Sequence, residues 1–180
     1  MEPKPARDLK SLPKAHLHVH LEGAMRESTL SELCGCYAIP RPDDTKFQKF
    51  DDFRGFMKMY WAACEAVRSR EDLARLIREV AEDAAAEGVW WLEPAFDAAR
   101  YSTLREDSPF QLFATQDEGW RFALAAAETT SKATGVGIGF ISAVDRMMPV
   151  DQALERARIT RDLVRSGRHG IQSGLASIEG

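Results

Sequence analysis

Three histidines at alternate positions form the pattern in this sequence that is best suited to chemistry. His16, His18 and His20 lie in the stretch PKAHLHVHLEG, residues 13–23, with Leu17 and Val19 between them. Side chains two positions apart on a β-strand share a face, so the pattern predicts three imidazoles on one face. Imidazole nitrogens bind zinc and other borderline metals at ~2.0–2.1 Å. A lone histidine is more often a structural residue, but three in alternation favour a metal site.

The segments that position these histidines alternate between strand and helix patterns. Strands are predicted over 15–21, 89–96, 136–144 and 170–177, and helices over 28–37, 50–67, 70–87, 117–135 and 150–166. Residues 97–110 are predicted to be irregular. Strands and helices that alternate along a chain predict a parallel sheet with crossover helices, which is the α/β class.

Two α/β architectures fit this order of elements: an open doubly wound sheet, or part of a TIM-type (β/α)8 barrel. A full barrel takes roughly 250 residues. About four β/α units in 180 residues therefore predict the first half of such a barrel. We expect a single incomplete domain over residues 1–180, with a lead-in over 1–13 and a helical insert over about 28–87 between the first two strands. The histidines would lie near the C-terminal rim, where barrel active sites are built.

The composition argues against polyanion and membrane partners. The net charge is −4 and the sequence pI is about 5.6, so no basic surface for nucleic acid is expected. No apolar run approaches the roughly 18 residues of a membrane span. Three cysteines and an N-terminus without an apolar signal segment predict a protein of the reducing cytoplasm. The expected partner is a small molecule, and the sequence leaves the oligomeric state open.

The histidine stretch also resembles a known family. LPKAHLHVHLEGAMRESTL, residues 12–30, is similar to the opening of the adenosine deaminase family of metal-dependent aminohydrolases, whose usual form is P-K-x-E-L-H-x-H-L-[DE]-G. FDDFRGFMKMY, residues 50–60, resembles the aromatic helix that covers the pocket in that family. GIQSGLASIEG, residues 170–180, resembles its fourth strand. The resemblance implies a TIM-type (β/α)8 barrel of the metallo-dependent hydrolase type. It also implies zinc-dependent hydrolytic deamination of a purine or purine nucleoside, with adenine and aminofutalosine deaminases as neighbouring branches.

The resemblance also implies roles for individual residues. His18 and His20 would be two ligands of one zinc ion, and Glu22 would contact the sugar or distal part of the substrate. Phe53 and Met57 would line the lid of the pocket. Ser177 would stand where many members carry a glycine that hydrogen-bonds the purine ring.

The sequence leaves the roles of two further side chains, those of His16 and Glu93, undecided between two interpretations each. His16 replaces a frequent glutamate of the family, so it either supports a ligand from outside the coordination sphere or takes no part. Glu93, on the second predicted strand, either holds a ligand histidine or a loop in place or is a structural hydrogen-bonding group.

No catalytic residue is predicted within these 180 residues. The family's third ligand histidine, its H-x-G-E proton-shuttle glutamate, and an orienting histidine and aspartate are expected downstream, and the sequence contains no H-x-G-E. We therefore expect only part of an active site, and little or no activity of the chain alone. Two alternatives stay open: a non-catalytic remnant that binds metal or a partner, and another metal-dependent amidohydrolase, since His-x-His also opens dihydroorotase-like barrels.

Overall fold

Strands and helices alternate in the computed structural model, which describes residues 8, 11–40, 53–103, 110–142 and 149–165. The elements are β1 Lys14–His20, α1 Glu27–Tyr37, α2 Phe53–Ala66, α3 Arg70–Ala86, β2 Val89–Phe96, α4 Ala98–Ser102, α5 Gln116–Thr134, β3 Gly137–Ile138, β4 Ile141–Ser142 and α6 Val150–Arg165. A 3-10 turn, Glu22–Ala24, follows β1. The strand predicted over 170–177 lies outside the described residues.

The strands form one parallel sheet, as the sequence predicts. Its order is β1-β2-β3, and β4 also pairs with β2. Trp91 lies opposite Gly137 and Ala95 opposite Ile141, so β3 and β4 keep the same offset along β2. The backbone N–H of Gly139, between them, donates to the carbonyl of Leu92 at 2.9 Å. In place of the single strand predicted over 136–144, the structure has two short strands, β3 and β4, which pair with β2 in the same register.

Local capping sets the ends of the long helices close to the predicted boundaries. The side chains and backbones of Ser69 and Asp72 form a reciprocal capping box at the start of α3. Gly88 follows α3 and Gly135 follows α5, each with φ 76, the left-handed conformation that glycine adopts freely. No helix within the described ranges combines the length and apolar character needed to cross a membrane.

The main core lies between one face of the sheet and helices α3 and α5. Leu92 and Phe96 lie four positions apart on β2 and therefore share a face. Each is 1% exposed and belongs to this core. The ring of Phe96 meets the ring of Trp120 edge to face, with centroids 5.1 Å apart. Residues of β2 at odd positions, such as Ala95, point to the opposite face because side chains alternate along a strand. The two faces of β2 therefore provide a reference for the side chains of β1.

The close approach of β2 and β3 leaves no room for a side chain at Gly137. A Cβ atom there would lie 2.5 Å from Cε3 of Trp91. We expect Gly137→Ala to lower the free energy of unfolding by about 1–3 kcal/mol in urea titrations, since the indole must move. Gly35→Ala is the control, because no atom lies within 4 Å of a Cβ there. In helix α1 it should raise stability by about 0.5–1 kcal/mol, and equal shifts in the two variants would contradict this account.

Candidate functional site

Strand β1 is bulged at the histidines rather than regular. Its register against β2 shifts between His16 and Val19. Leu17 and His18 together therefore occupy the space opposite one residue of β2, which defines a β-bulge. His18 has φ 58, in the left-handed region, where histidine is found more often than most residues with a Cβ. A bulge bends a strand and re-aims its side chains.

The bulge separates His16 from the other two histidines. His16 lies opposite Leu92 of the helix-facing core, whereas His20 lies opposite Ala95, on the other face of β2. Nε2 of His16 is 3.8 Å from a carboxylate oxygen of Glu87, just beyond α3. The expectation that all three imidazoles share a face is therefore wrong for His16.

His18 and His20 lie side by side at the C-terminal end of β1. Their rings are stacked, with centroids 5.5 Å apart and planes 27° apart. Both residues are exposed, so an ion can reach them from solvent. Within the described ranges, no group of three or more histidine, cysteine, aspartate or glutamate side chains is arranged to hold a metal. Because catalytic zinc usually has three protein ligands, these donors fit part of such a site.

Glu22 is buried directly after the histidine strand, with only 2% of its surface exposed. The hydroxyl of Tyr101 donates to Oε1 of Glu22 at 2.7 Å, and the hydroxyl of Tyr60 donates to Oε2 at 3.3 Å. Both carboxylate oxygens are thus engaged by side chains from two different helices, α4 and α2. The carboxylate joins these helices to the turn behind His20.

The surroundings of Glu22 keep neighbouring acidic groups protonated. Burial, followed by the negative charge of Glu22, raises the pKa of both Tyr60 and Tyr101 above the usual range. The same two causes raise the pKa of the Cys64 thiol to about 12. Burial opposes the charge of Arg100, but the nearby Cys64, Tyr101 and Glu22 outweigh it and raise its pKa. The two tyrosines therefore remain hydrogen-bond donors to Glu22 at neutral pH.

Comparison with known proteins assigns the chain to a family. The family profile described as adenosine deaminase matches residues 13–179. This chain belongs to the adenosine deaminase family. The match begins at Pro13, just before the histidine strand, so the family assignment and the paired imidazoles concern the same segment.

Two curated relatives illustrate how much of an adenosine deaminase family protein the chain covers. A Streptomyces virginiae protein named as an adenosine/adenine deaminase is 34% identical over 183 residues, which span 97% of this chain and 51% of the relative. The adenine deaminase of Ectopseudomonas mendocina is 30% identical over 162 residues, 86% of this chain and 49% of the relative. The chain thus spans about half the length of the curated relatives it matches.

Solved structures of similar proteins confirm the predicted fold. A zinc-bound amidohydrolase from Burkhoderia ambifaria superposes with a TM-score of 0.68 at 23% identity, over 91% of this chain and 43% of that one. The adenine deaminase of Arthrobacter aurescens gives a TM-score of 0.63 at 22% identity, over 84% of this chain and 45% of that one. The described parallel sheet with its helices is the first half of a β/α barrel, and the open doubly wound alternative is wrong.

Of the remaining predicted site residues, the structure describes the side chains of some but not of others. Met57 lies half-buried on α2, while the side chain of Phe53 and all of Ser177 lie outside the described residues. Oε1 of Glu93 accepts a hydrogen bond from the indole N–H of Trp91 at 2.9 Å, which favours the interpretation of Glu93 as a structural hydrogen-bonding group.

Tyr60 was not identified from the sequence as a residue of the site. Its spacing of three residues from Met57 was an available signal, because residues i and i+3 share a helix face.

The backbone at His18 gives a test of the bulge. Left-handed backbone costs residues with a Cβ roughly 1–2 kcal/mol, a cost that glycine does not have. We expect His18→Gly to be more stable than His18→Ala by about 1 kcal/mol in thermal unfolding, although both lack the imidazole. Equal midpoints, or a more stable alanine variant, would show that residue 18 is not left-handed.

Proposed function

We propose that this chain provides the first half of a zinc-dependent purine deaminase, in which His18 and His20 supply two of the metal ligands. The observation that carries the proposal is the pair of stacked, exposed imidazoles at the C-terminal end of β1, 5.5 Å apart between centroids. Family membership supports it. The names of the curated relatives support a purine as the small-molecule substrate.

The chain's own residues would bind the metal and build one wall of the pocket. The chemistry that zinc supplies when bound is activation of water for attack on an amino-bearing ring carbon, with release of ammonia. His18 and His20 would hold the ion from one side, and Met57 with Phe53 would cover the substrate. Ser177 keeps its proposed place at the purine edge.

A contact between Glu22 and the distal part of the substrate needs a rearrangement. Glu22 is 2% exposed, and both of its oxygens already accept hydrogen bonds from tyrosines. The longer of these bonds, 3.3 Å from Tyr60, is the one that a substrate hydroxyl could replace at least cost. We therefore keep Glu22 as a proposed substrate contact that becomes available when the hydroxyl of Tyr60 gives up this bond, while the tyrosine ring stays beside His20.

Activity would require residues in addition to these 180. Two imidazoles are fewer than the three protein ligands usual in catalytic zinc sites, and no H-x-G-E occurs in the 180 residues. In the described part of the sheet, β1 pairs only with β2, which leaves its other edge without a strand partner. The isolated chain would thus bind zinc weakly and show little or no deamination.

We also propose that the protein is cytoplasmic and that neither nucleic acid nor a membrane is its partner.

The test is to purify the chain, load it with zinc, and measure ammonia release from adenine and adenosine. We expect the purified chain to contain bound zinc, and the zinc content to decrease when His18 and His20 are both replaced by alanine. We expect ammonia release no higher than in the enzyme-free blank. Sustained turnover of either purine would refute the incomplete site. Unchanged zinc content in the double variant would refute the ligand assignment.

A further inference from the structure

Tyr60 of helix α2 contacts both functional positions at the end of β1. Its ring meets the ring of His20 edge to face, with centroids 5.4 Å apart and planes 84° apart. Its hydroxyl donates to Oε2 of Glu22. A Cβ atom built on Gly23 would lie 3.6 Å from Cβ of His20 and 3.7 Å from Cδ2 of Tyr60. The tyrosine ring therefore lies over the turn that directly follows His20.

Tyr60 is itself held in place by Glu22 and, through Glu22, by Tyr101. Glu22 holds its hydroxyl, and Tyr101 holds the other oxygen of Glu22 at 2.7 Å. Tyr101 is 2% exposed and stacks on Phe96 of the main core, with ring centroids 5.7 Å apart. A continuous series of contacts thus runs from the core through Tyr101, Glu22 and Tyr60 to His20.

The end of this series matters because His20 is exposed, and so is His18, the other ring that stacks on it among the described residues. An exposed side chain samples several rotamers, and binding a metal requires that it lose that freedom. Edge-to-face aromatic contacts prefer one relative orientation of the two rings. Groups that orient a ligand histidine without touching the metal raise metal affinity by this route.

We propose that Tyr60 is a positioning residue that holds the imidazole of His20 in the orientation in which it binds metal. This inference rests on the proposed role of His20 as a zinc ligand. The two parts of Tyr60 have separate tasks: the hydroxyl fixes the side chain to Glu22, and the ring edge orients His20. The ring carries the effect on metal binding, so phenylalanine should retain most of it and leucine should not.

The experiment measures zinc affinity of the 180-residue chain by competition with a chelating dye, in the wild type and three variants. Tyr60→Leu removes the ring and is expected to weaken zinc binding about tenfold. Tyr60→Phe keeps the ring and should bind zinc nearly as tightly as the wild type. Tyr37→Leu is the matched control, because it makes the same substitution at a tyrosine that donates to Asp72 and packs against a different apolar cluster. Its zinc affinity should match the wild type.

A second readout needs no metal. The ring-proton resonances of His20 in NMR spectra should shift in Tyr60→Leu and stay in place in Tyr37→Leu. The proposal is overturned if Tyr60→Leu leaves zinc affinity unchanged, or if Tyr37→Leu lowers it equally. Failure of the proposed function is recognisable separately: zinc affinity would then be insensitive to His20→Ala, even where Tyr60→Leu shifts the His20 resonances.

Discussion

Replacing His20 by alanine is expected to lower the zinc affinity of the chain about a hundredfold. Zinc-finger peptides gain about 10–16 kcal/mol from four ligands, so one ligand contributes roughly 3 kcal/mol, which corresponds to about a hundredfold in affinity. His18 and His20 are the imidazoles that the structure places side by side. Losing one leaves a single imidazole, which does not chelate. Competition with a chelating dye at neutral pH measures the loss.

The same strand supplies a control of the same residue type. His16 lies opposite Leu92 on the helix-facing side, and its Nε2 is 3.8 Å from a carboxylate oxygen of Glu87. His16→Ala should therefore leave zinc affinity unchanged while removing the same chemical group. If His16→Ala weakened binding as much as His20→Ala, the metal would not be held by the pair that the bulge creates.

This contrast between His16 and His20 also shows where the sequence stops being informative. Polar and apolar residues alternate without interruption from residue 14 to 21, so the sequence predicts a regular strand with the histidines on one face. The bulge arises in the pairing between β1 and β2, whose register shifts between His16 and Val19. Register depends on a partner strand about 75 positions away, and no local pattern in β1 records it.

The contacts of Glu22 could not be predicted for a similar reason. Its hydrogen-bond partners Tyr60 and Tyr101 lie 38 and 79 positions away in sequence. Tyr101 belongs to α4, a five-residue helix within the segment predicted to be irregular. The side chain of Asp97 caps this helix by accepting from the N–H of Ala99 at 3.0 Å. So short a helix has too few residues for a 3.6-residue pattern to be visible.

Elements whose ends depend on neighbouring residues were predicted well. The reciprocal bonds that start α3 join Ser69 and Asp72, three positions apart, and the left-handed Gly88 lies two positions after the last residue of the helix. Such signals are complete within a few residues of sequence. The order of strands and helices follows from these local signals, and with it the half-barrel, whereas the arrangement of side chains at the site depends on contacts between distant segments.

Glu79→Ala is expected to lower the free energy of unfolding by about 3 kcal/mol, because it leaves the buried hydroxyl of Thr29 without its acceptor and removes the ion pair with Arg75. Glu79 is 4% exposed and joins α1 to α3. It accepts from the hydroxyl of Thr29 at 2.6 Å and from Nε of Arg75 at 2.7 Å. Urea unfolding measures the effect. Glu32→Ala is the control: Glu32 binds the same guanidinium, but its side chain is 55% exposed, so its loss should lower the free energy of unfolding much less.

The contribution of Glu79 should also depend on pH. Burial alone would raise the pKa of this carboxyl, but the donors Thr29 and Arg75 and the charge of Arg26 outweigh burial and lower it. A carboxyl with a depressed pKa in the folded state stabilises the protein above its unfolded pKa, and this contribution is lost as pH falls through the folded pKa. The stability difference between wild type and Glu79→Gln should thus be full at neutral pH and shrink below about pH 4. A difference that stayed constant in urea titrations from pH 7 into the acid range would show that Glu79 is not bound as a carboxylate between α1 and α3.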